Sequence, residues 1–228
     1  MATLITGCNR GLGLEFVRQC LARGERVIAS ARHPARAHEL TRLAGEHPGH
    51  LQVFPLEIGD ARSITEFARE VRLLEPRLER VIHNAGVMAG RESFGQVRSE
   101  DLARSFAVNA SGPLLLTQAL ADHLAAPARL VYISSVLGSI GARDGFYTPS
   151  YSMSKAALNM AVRQISFALA DRAISVAMHP GWVRTDMGGE QAPLQATTSV
   201  RAMLARIDAL SPSDNGRFLA HDGGELPW

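Results

Sequence analysis

Cysteine is scarce in this chain, and its scarcity limits the classes to which the protein can belong. Only 2 of the 228 residues are cysteine, and Cys8 and Cys20 show no CxxC spacing. A disulfide scaffold or a zinc finger needs more thiols at closer spacing, so both classes are excluded. The eight histidines show neither HxxxH nor HExxH spacing, and we expect no metal. A reduced, cytoplasmic protein is the simplest prediction.

Aromatic residues, long apolar runs and excess charge are also lacking. Phe, Trp and Tyr make up 6% of the chain, too little for a platform that stacks single-stranded nucleic acid. No apolar run approaches the ~18 residues that a membrane span requires. The formal net charge is only +2, and the arginines are dispersed, so we predict neither a nucleic-acid nor a membrane partner. Because the start MATLITG reaches a glycine turn within seven residues, we expect no signal peptide.

Lysine occurs once, at Lys155, among 24 basic residues. The chain therefore uses arginine for its ordinary surface charge. A single ammonium group needs a local explanation, because lysine and arginine are not interchangeable where a compact charge is required.

Short apolar runs alternate with amphipathic stretches of helical length along the whole chain. Strand followed by helix predicts right-handed crossovers and one doubly wound parallel sheet, an α/β Rossmann domain over residues 1–228. Ligands of such sheets bind at the carboxyl ends of the strands. The predicted strands are Thr3–Thr6, Arg26–Ala31, Leu51–Leu56, Val81–His83, Leu130–Ser134, Ser175–His179 and Arg217–Leu219. The predicted helices are 12–23, 34–45, 61–74, 99–125, 150–171 and 193–209.

The first predicted strand leads into the sequence TGCNRGLG, which precedes an amphipathic helix. Its first glycine permits a tight turn, its second lets the backbone approach a pyrophosphate, and its third lets the helix pack on the strand. Free N–H groups at the helix start then bind the anion. The predicted phosphate turn comprises Gly7, Asn9, Arg10, Gly11, Leu12 and Gly13.

The residue that follows the second strand predicts which dinucleotide binds. An acidic residue there would hold the ribose 2′-hydroxyl of NAD and repel a 2′-phosphate. The chain instead has Arg32, with Arg10 in the phosphate turn, and two guanidiniums can neutralise a phosphate dianion. This favours NADP(H), with two ordinary surface arginines as the alternative. How strict the preference is stays open.

Tyr151 and Lys155 form the most informative pair. Their spacing places them on one helical face, with Thr148 and Pro149 expected as N-cap and first helical residue. A phenol is a poor acid–base catalyst at pH 7 until its phenolate is stabilised. We expect the ammonium and the positive nicotinamide of an oxidised cofactor to lower the pKa of Tyr151. Both side chains are also predicted cofactor contacts, since the lysine can bind the ribose hydroxyls of the nicotinamide.

The GxxxGxG turn and the YxxxK pair together resemble the short-chain dehydrogenase/reductase family, over essentially the whole chain. The sequence PGWVRTDMGG and the ending GRFLAHDGGELPW are similar to its C-factor-like branch, which includes the sniffer-type carbonyl reductases. The resemblance implies that Ser135 hydrogen-bonds the substrate oxygen. It also implies that Asn109 interrupts a long helix and holds a water in a proton relay with Lys155.

Further cofactor contacts are implied by the same resemblance. Glu57 stands where the family has an Asp beside the adenine, and His83 replaces the first Asn of the family's NNAG element. The positions implied as cofactor contacts are Glu57, Ile58, Asn84, Ala85, Gly86, Pro180, Gly181, Val183 and Thr185.

The resemblance implies an NADP-dependent oxidoreductase that acts on a small carbonyl or alcohol compound. Hydride passes between the nicotinamide and the substrate carbon, and Tyr151 exchanges a proton with the substrate oxygen. The alternative is an NADP(H)-binding regulatory or signalling protein with little turnover. The segments 88–95 and 136–148 are expected to shape substrate choice. Substrate identity, reaction direction and the choice between a homodimer and a homotetramer stay open.

Overall fold

A computed structural model describes residues 1–74, 77–90 and 92–228. Arg91, within the 88–95 segment expected to shape substrate choice, lies outside the described residues. Seven strands form one sheet of order β3-β2-β1-β4-β5-β6-β7, and every neighbouring pair is parallel. The strands are β1 Ala2–Ile5, β2 Arg26–Ala31, β3 Leu51–Pro55, β4 Leu78–His83, β5 Leu124–Ile133, β6 Ala173–His179 and β7 Phe218–Ala220. The strand order reverses between β1 and β4, which is where such sheets bind their ligands.

Helices connect the strands on both sides of the sheet. They are α1 Gly11–Ala22, α2 His38–Glu46, α3 Ala61–Arg72, α4 Ser99–Phe106, α5 Gly112–Leu120, α6 Pro149–Ala168 and α7 Ala196–Asp208. A π-helical turn over Ala107–Ser111 joins α4 to α5. The predicted doubly wound parallel sheet is confirmed.

Two apolar layers stabilise the sheet, one on each face. Side chains alternate along each strand, so Leu4 packs into one layer and Ile5 into the other. Helices α1, α2 and α7 cover the Ile5 face, whereas α3, α5 and α6 cover the Leu4 face. Coverage on both faces explains why the strands are apolar without clean alternation.

The predicted helix 99–125 extends too far, because α5 ends at Leu120, and the stretch is not one continuous helix. It breaks at the π turn, and a 3-10 turn at Ala121–His123 closes it. The strand predicted as Leu130–Ser134 begins already at Leu124, because Leu124 pairs with Leu78 of β4. Pairing with a strand distant in sequence thus overrides the local helical pattern.

Two further helix starts differ from the prediction. The stretch 34–45 begins as a 3-10 turn over Pro34–Arg36 before α2, and α7 starts at Ala196 rather than at 193. Within the described ranges, no helix combines the length and the hydropathy that crossing a bilayer demands.

The surroundings of two helical glycines predict opposite effects of a change to alanine on the free energy of unfolding. A Cβ on Gly112 would lie 2.2 Å from the Ile58 carbonyl oxygen, whereas a Cβ on Gly45 would meet nothing within 4 Å. We expect Gly112→Ala to lower the free energy of unfolding by about 1–3 kcal/mol. Gly45→Ala should raise it by about 0.5–1 kcal/mol, since alanine favours helix. Urea unfolding measures both, and a Gly112→Ala protein as stable as wild type would contradict the packing described.

Candidate active site

A cavity of about 1050 Å³ lies at the carboxyl ends of the strands, across the β1–β4 switch point. Most residues predicted to contact a cofactor line it, which brings together segments from five strands and α6. Those that line it are Gly7, Asn9, Arg10, Gly11, Leu12, Arg32, Glu57, Ile58, Asn84, Ala85, Gly86, Tyr151, Lys155, Pro180 and Thr185. Gly13, Asn109, Ser135, Gly181 and Val183 are not among the lining residues.

The phosphate turn has the tight geometry that its glycines predict. Gly7 has a left-handed φ of 71°, and a Cβ on Gly13 would lie 2.2 Å from the Gly7 carbonyl oxygen. Gly13 therefore permits the close packing of α1 on the turn from behind the cavity. Arg10, the N-cap of α1, makes no side-chain capping bond. The first N–H groups of α1 are thus available to an anion at the cavity wall.

Asn84 braces the phosphate turn from the end of β4. Its Nδ2 donates to the carbonyl oxygens of Thr6 at 2.9 Å and Gly7 at 3.1 Å. In return, Thr6 Oγ1 accepts hydrogen bonds from the backbone N–H groups of Asn84 and Ala85, both at 3.0 Å. The residue implied as a ribose contact thus also fixes the relative position of two cavity walls.

The two arginines expected to hold a 2′-phosphate each face a carboxylate. Arg10 Nη1 lies 2.5 Å from Asp186 Oδ2, and Arg32 Nη1 lies 3.8 Å from Glu57 Oε2. All four side chains are exposed at the cavity mouth, so these pairs are weak and can exchange partners. The prediction missed Asp186, because no local spacing relates it to the phosphate turn.

Tyr151 and Lys155 line the cavity, and the Ser135 hydroxyl lies beside Tyr151. The Ser135 hydroxyl is near enough to the Tyr151 phenol to lower its pKa. Lys155 Nζ donates to the carbonyl oxygen of Ile133, at the end of β5, at 2.7 Å. It lies 5.6 Å from the centroid of the Tyr151 ring. A phenol, a hydroxyl and an ammonium group are therefore grouped beside the cavity.

Burial dominates the pKa values of this pair, and the lowering of the Tyr151 pKa by the ammonium together with an oxidised nicotinamide stays a prediction. Burial raises the pKa of Tyr151 to about 12, and the nearby Ser135 hydroxyl only partly offsets this rise. Burial also lowers the pKa of Lys155 to about 8.

Asn109 interrupts the α4–α5 stretch, as the resemblance implied. Its Oδ1 accepts the Val87 N–H at 2.8 Å, while its Nδ2 donates to the Val87 carbonyl and, at 2.9 Å, to Ser154 Oγ. The side chain thus ties the loop after β4 to α6. Its contact with a water stays a prediction. Ser154 was missed from the sequence because its partner is distant along the chain.

His83, which replaces the first Asn of the NNAG element, lies behind the cavity. Its ring stacks on Tyr132 with centroids 4.5 Å apart, and its Nε2 lies 2.9 Å from Thr117 Oγ1. Burial lowers the pKa of His83 to about 3, so the ring is neutral at pH 7. The substitution supports the packing of β4 against β5.

The segment after β6 closes one side of the site. Pro180 and Thr185 line the cavity. Gly181 packs instead under His221 and Leu194, and Val183 is buried against the segment that follows it. These backbone contacts shape the wall at Pro180 and Thr185.

A parallel sheet with a phosphate turn and a tyrosine–lysine pair at its carboxyl edge defines a dinucleotide-dependent oxidoreductase fold. The family model described as short chain dehydrogenase matches residues 1–196. The chain belongs to the short-chain dehydrogenase family.

Similar proteins support the predicted C-factor-like and sniffer-type branch. The C-signal of Myxococcus xanthus is 46% identical over 151 residues, covering 65% of this chain and 91% of that protein. Carbonyl reductase Sniffer of D. melanogaster superposes with a TM-score of 0.94 at 30% identity, covering 100% of this chain and 99% of that one. The NADPH-bound carbonyl reductase from chicken fatty liver gives 0.92 at 37% identity, covering 100% and 98%.

The buried ammonium of Lys155 predicts a pH-dependent stability difference. Below pH 8 both folded and unfolded chains carry this charge, so its burial penalty is fully present; the penalty is lost as pH rises from about 8 to 10.5. We expect Lys155→Met to be more stable than wild type by about 2 kcal/mol at pH 7. Urea unfolding from pH 6 to 10 should show this difference shrinking above pH 8, and a constant difference would contradict the lowered pKa.

Proposed function

We propose that this protein is an NADPH-dependent carbonyl reductase in which Tyr151 is the general acid. The observation that carries the proposal is that Tyr151 and Lys155 line one cavity together with the phosphate turn, with the Ser135 hydroxyl beside the phenol. Residues 1–228 form one domain in this proposal, and a reducing cytoplasmic location agrees with two buried free cysteines. The substrate is a small carbonyl compound, or its alcohol in the reverse direction.

The residues at the cavity fit an NADP cofactor. The uncapped start of α1 and the Gly7–Gly13 turn suit a pyrophosphate. Arg10 and Arg32 supply two guanidiniums at the mouth for a 2′-phosphate. Two similar structures hold the cofactor: the chicken carbonyl reductase binds NADPH, and a carbonyl reductase of Pseudomonas aeruginosa at 29% identity is in complex with NADP. Lys155 and Asn84 are the residues proposed to contact its ribose.

When bound, NADPH supplies the hydride that adds to the carbonyl carbon. Tyr151 donates its phenolic proton to the carbonyl oxygen and so completes the alcohol. A phenol whose pKa burial raises to about 12 keeps this proton at pH 7 and releases it only to a developing alkoxide. Water exclusion around the buried phenol keeps that transfer directed to the substrate.

Ser135 and Lys155 assist the proton transfer. Ser135 Oγ accepts the Leu137 N–H at 3.1 Å, which fixes the hydroxyl, and its proton is directed to the substrate oxygen. Lys155 remains mostly charged at pH 7, because its pKa is about 8, and its charge stabilises the phenolate that forms. Asn109 holds the loop beside Lys155 and supports the path by which Tyr151 regains its proton.

Removing the phenolic hydroxyl tests the general acid. Tyr151→Phe should lower kcat for carbonyl reduction by about 10³-fold, while the dissociation constant for NADPH stays near that of wild type. Tyr147→Phe is the matched control, since the exposed Tyr147 hydroxyl donates to Asp144. This variant should retain at least a tenth of the wild-type kcat. Steady-state kinetics and fluorescence titration with NADPH measure both quantities. Turnover like wild type in Tyr151→Phe would defeat the mechanism.

The charge at the end of β2 predicts cofactor preference. Arg32→Ser should raise KM for NADPH about tenfold or more, because a charged hydrogen bond to the 2′-phosphate contributes about 1.5–3 kcal/mol. KM for NADH should not change. Arg26→Ser, an exposed arginine at the opposite end of the same strand, should alter neither value. An unchanged ratio of the two KM values in Arg32→Ser would show that Arg32 does not contact the phosphate.

The relative named C-signal supports a second candidate, an NADP(H)-binding signalling protein. NADPH oxidation with a panel of aldehydes, ketones and quinones distinguishes the two candidates. Turnover of any carbonyl that depends on Tyr151 favours the reductase. NADPH binding with no turnover across the panel favours the signalling protein.

A further inference from the structure

The helix that carries Tyr151 and Lys155 begins without a cap from its own N-cap residue. Thr148 stands at the N-cap position, as expected, but has a left-handed φ of 44° and makes no side-chain capping bond. The predicted capping by Thr148 is therefore wrong: in this conformation its hydroxyl does not bond the N–H groups of the first turn. Those N–H groups need acceptors from elsewhere, since the first four have none within the helix.

Glu92 supplies such an acceptor from the loop after β4. The Ser150 N–H donates to Glu92 Oε2 at 3.1 Å, and the Ser150 hydroxyl donates to Glu92 Oε1. Ser150 is 0% exposed, so both of its groups depend on this one carboxylate. A negative charge at the start of a 20-residue helix also interacts favourably with the helix dipole.

The same loop contacts the α6 region at two further places. Phe94 packs edge-to-face on Phe146, with ring centroids 5.6 Å apart. Asn109 joins Val87 to Ser154. The anchored residues Ser150 and Ser154 lie directly before Tyr151 and directly before Lys155. Motion of the first turn of α6 would therefore move the Tyr151 phenol relative to Ser135, which follows the end of β5.

We propose that Glu92 is a positioning residue for the reaction, holding the first turn of α6 so that the Tyr151 hydroxyl stays beside Lys155 and the Ser135 hydroxyl. This inference rests on the proposed function. Loss of the carboxylate frees the Ser150 N–H and hydroxyl and loosens the turn. Proton transfer suffers, because small misplacements of a reacting group reduce rate steeply. NADPH affinity does not suffer, because the phosphate turn is braced separately by Asn84.

The test compares four proteins: wild type, Glu92→Ala, Glu92→Gln and Glu100→Ala. Glu92→Ala should lower kcat about tenfold or more at unchanged KM for NADPH, with kcat expressed per NADPH-binding site so that unfolded protein is not counted. Glu92→Gln retains an acceptor oxygen for the Ser150 N–H and should recover a large part of the loss. Glu100, an exposed acidic residue in the first turn of α4, is the matched control and should keep the kcat of wild type.

Amide hydrogen exchange supplies a readout that does not depend on turnover. Exchange in a peptide covering residues 150–154 should rise in Glu92→Ala and remain unchanged in Glu100→Ala. Faster exchange with an unchanged kcat would show that Glu92 only stabilises the helix, and would overturn the proposal. Should Glu92→Ala not fold, Glu92→Leu, which also lacks an acceptor for the Ser150 N–H, carries the test: an unchanged kcat in that variant would refute the proposal.

The outcome for Tyr151→Phe separates this proposal from the function on which it rests. An inactive Tyr151→Phe together with a fully active Glu92→Ala rejects the positioning role and leaves the reductase intact. An active Tyr151→Phe rejects the general acid itself, whatever the Glu92 variants do.

Discussion

Burial of a single ammonium group is the constraint on which the site depends. Lys155 is 3% exposed, and no carboxylate in the described part of the chain forms an ion pair with it; its Nζ donates to the carbonyl oxygen of Ile133. Removing a charge from water is unfavourable unless fixed dipoles replace the solvent. The end of β5, the loop after β4 and α6 must therefore meet at one place. The same meeting brings Tyr151 to Ser135.

The dry environment that lowers the pKa of Lys155 also raises that of Tyr151. The two shifts have one physical cause, desolvation of the charged form, and they act in opposite directions because one group is a cation and the other an anion when charged. The resulting phenol holds its proton at neutral pH while the lysine remains mostly charged. Such a pair is suited to delivering a proton to an oxygen on which negative charge develops.

The loop after β4 links the cofactor side of the site to the helix of the proposed general acid. Asn84 fixes the phosphate turn, Asn109 ties Val87 to Ser154, and Glu92 holds Ser150. A carboxylate that caps a helix from a distant loop differs from the local capping that sequence patterns describe. For this reason the pattern of Thr148 and Pro149 predicted the helix start correctly but named the wrong cap.

The sequence by itself determined the order of strands and helices, the phosphate turn and the spacing of Tyr151 and Lys155. These features follow from hydrophobic periodicity, glycine geometry and helical repeat, all of which are local. Only the tertiary structure decided that Arg10 pairs with Asp186, that β5 begins already at Leu124, and that burial raises the pKa of Tyr151. Each of these depends on burial or on contacts between residues far apart in the chain, which no local pattern encodes.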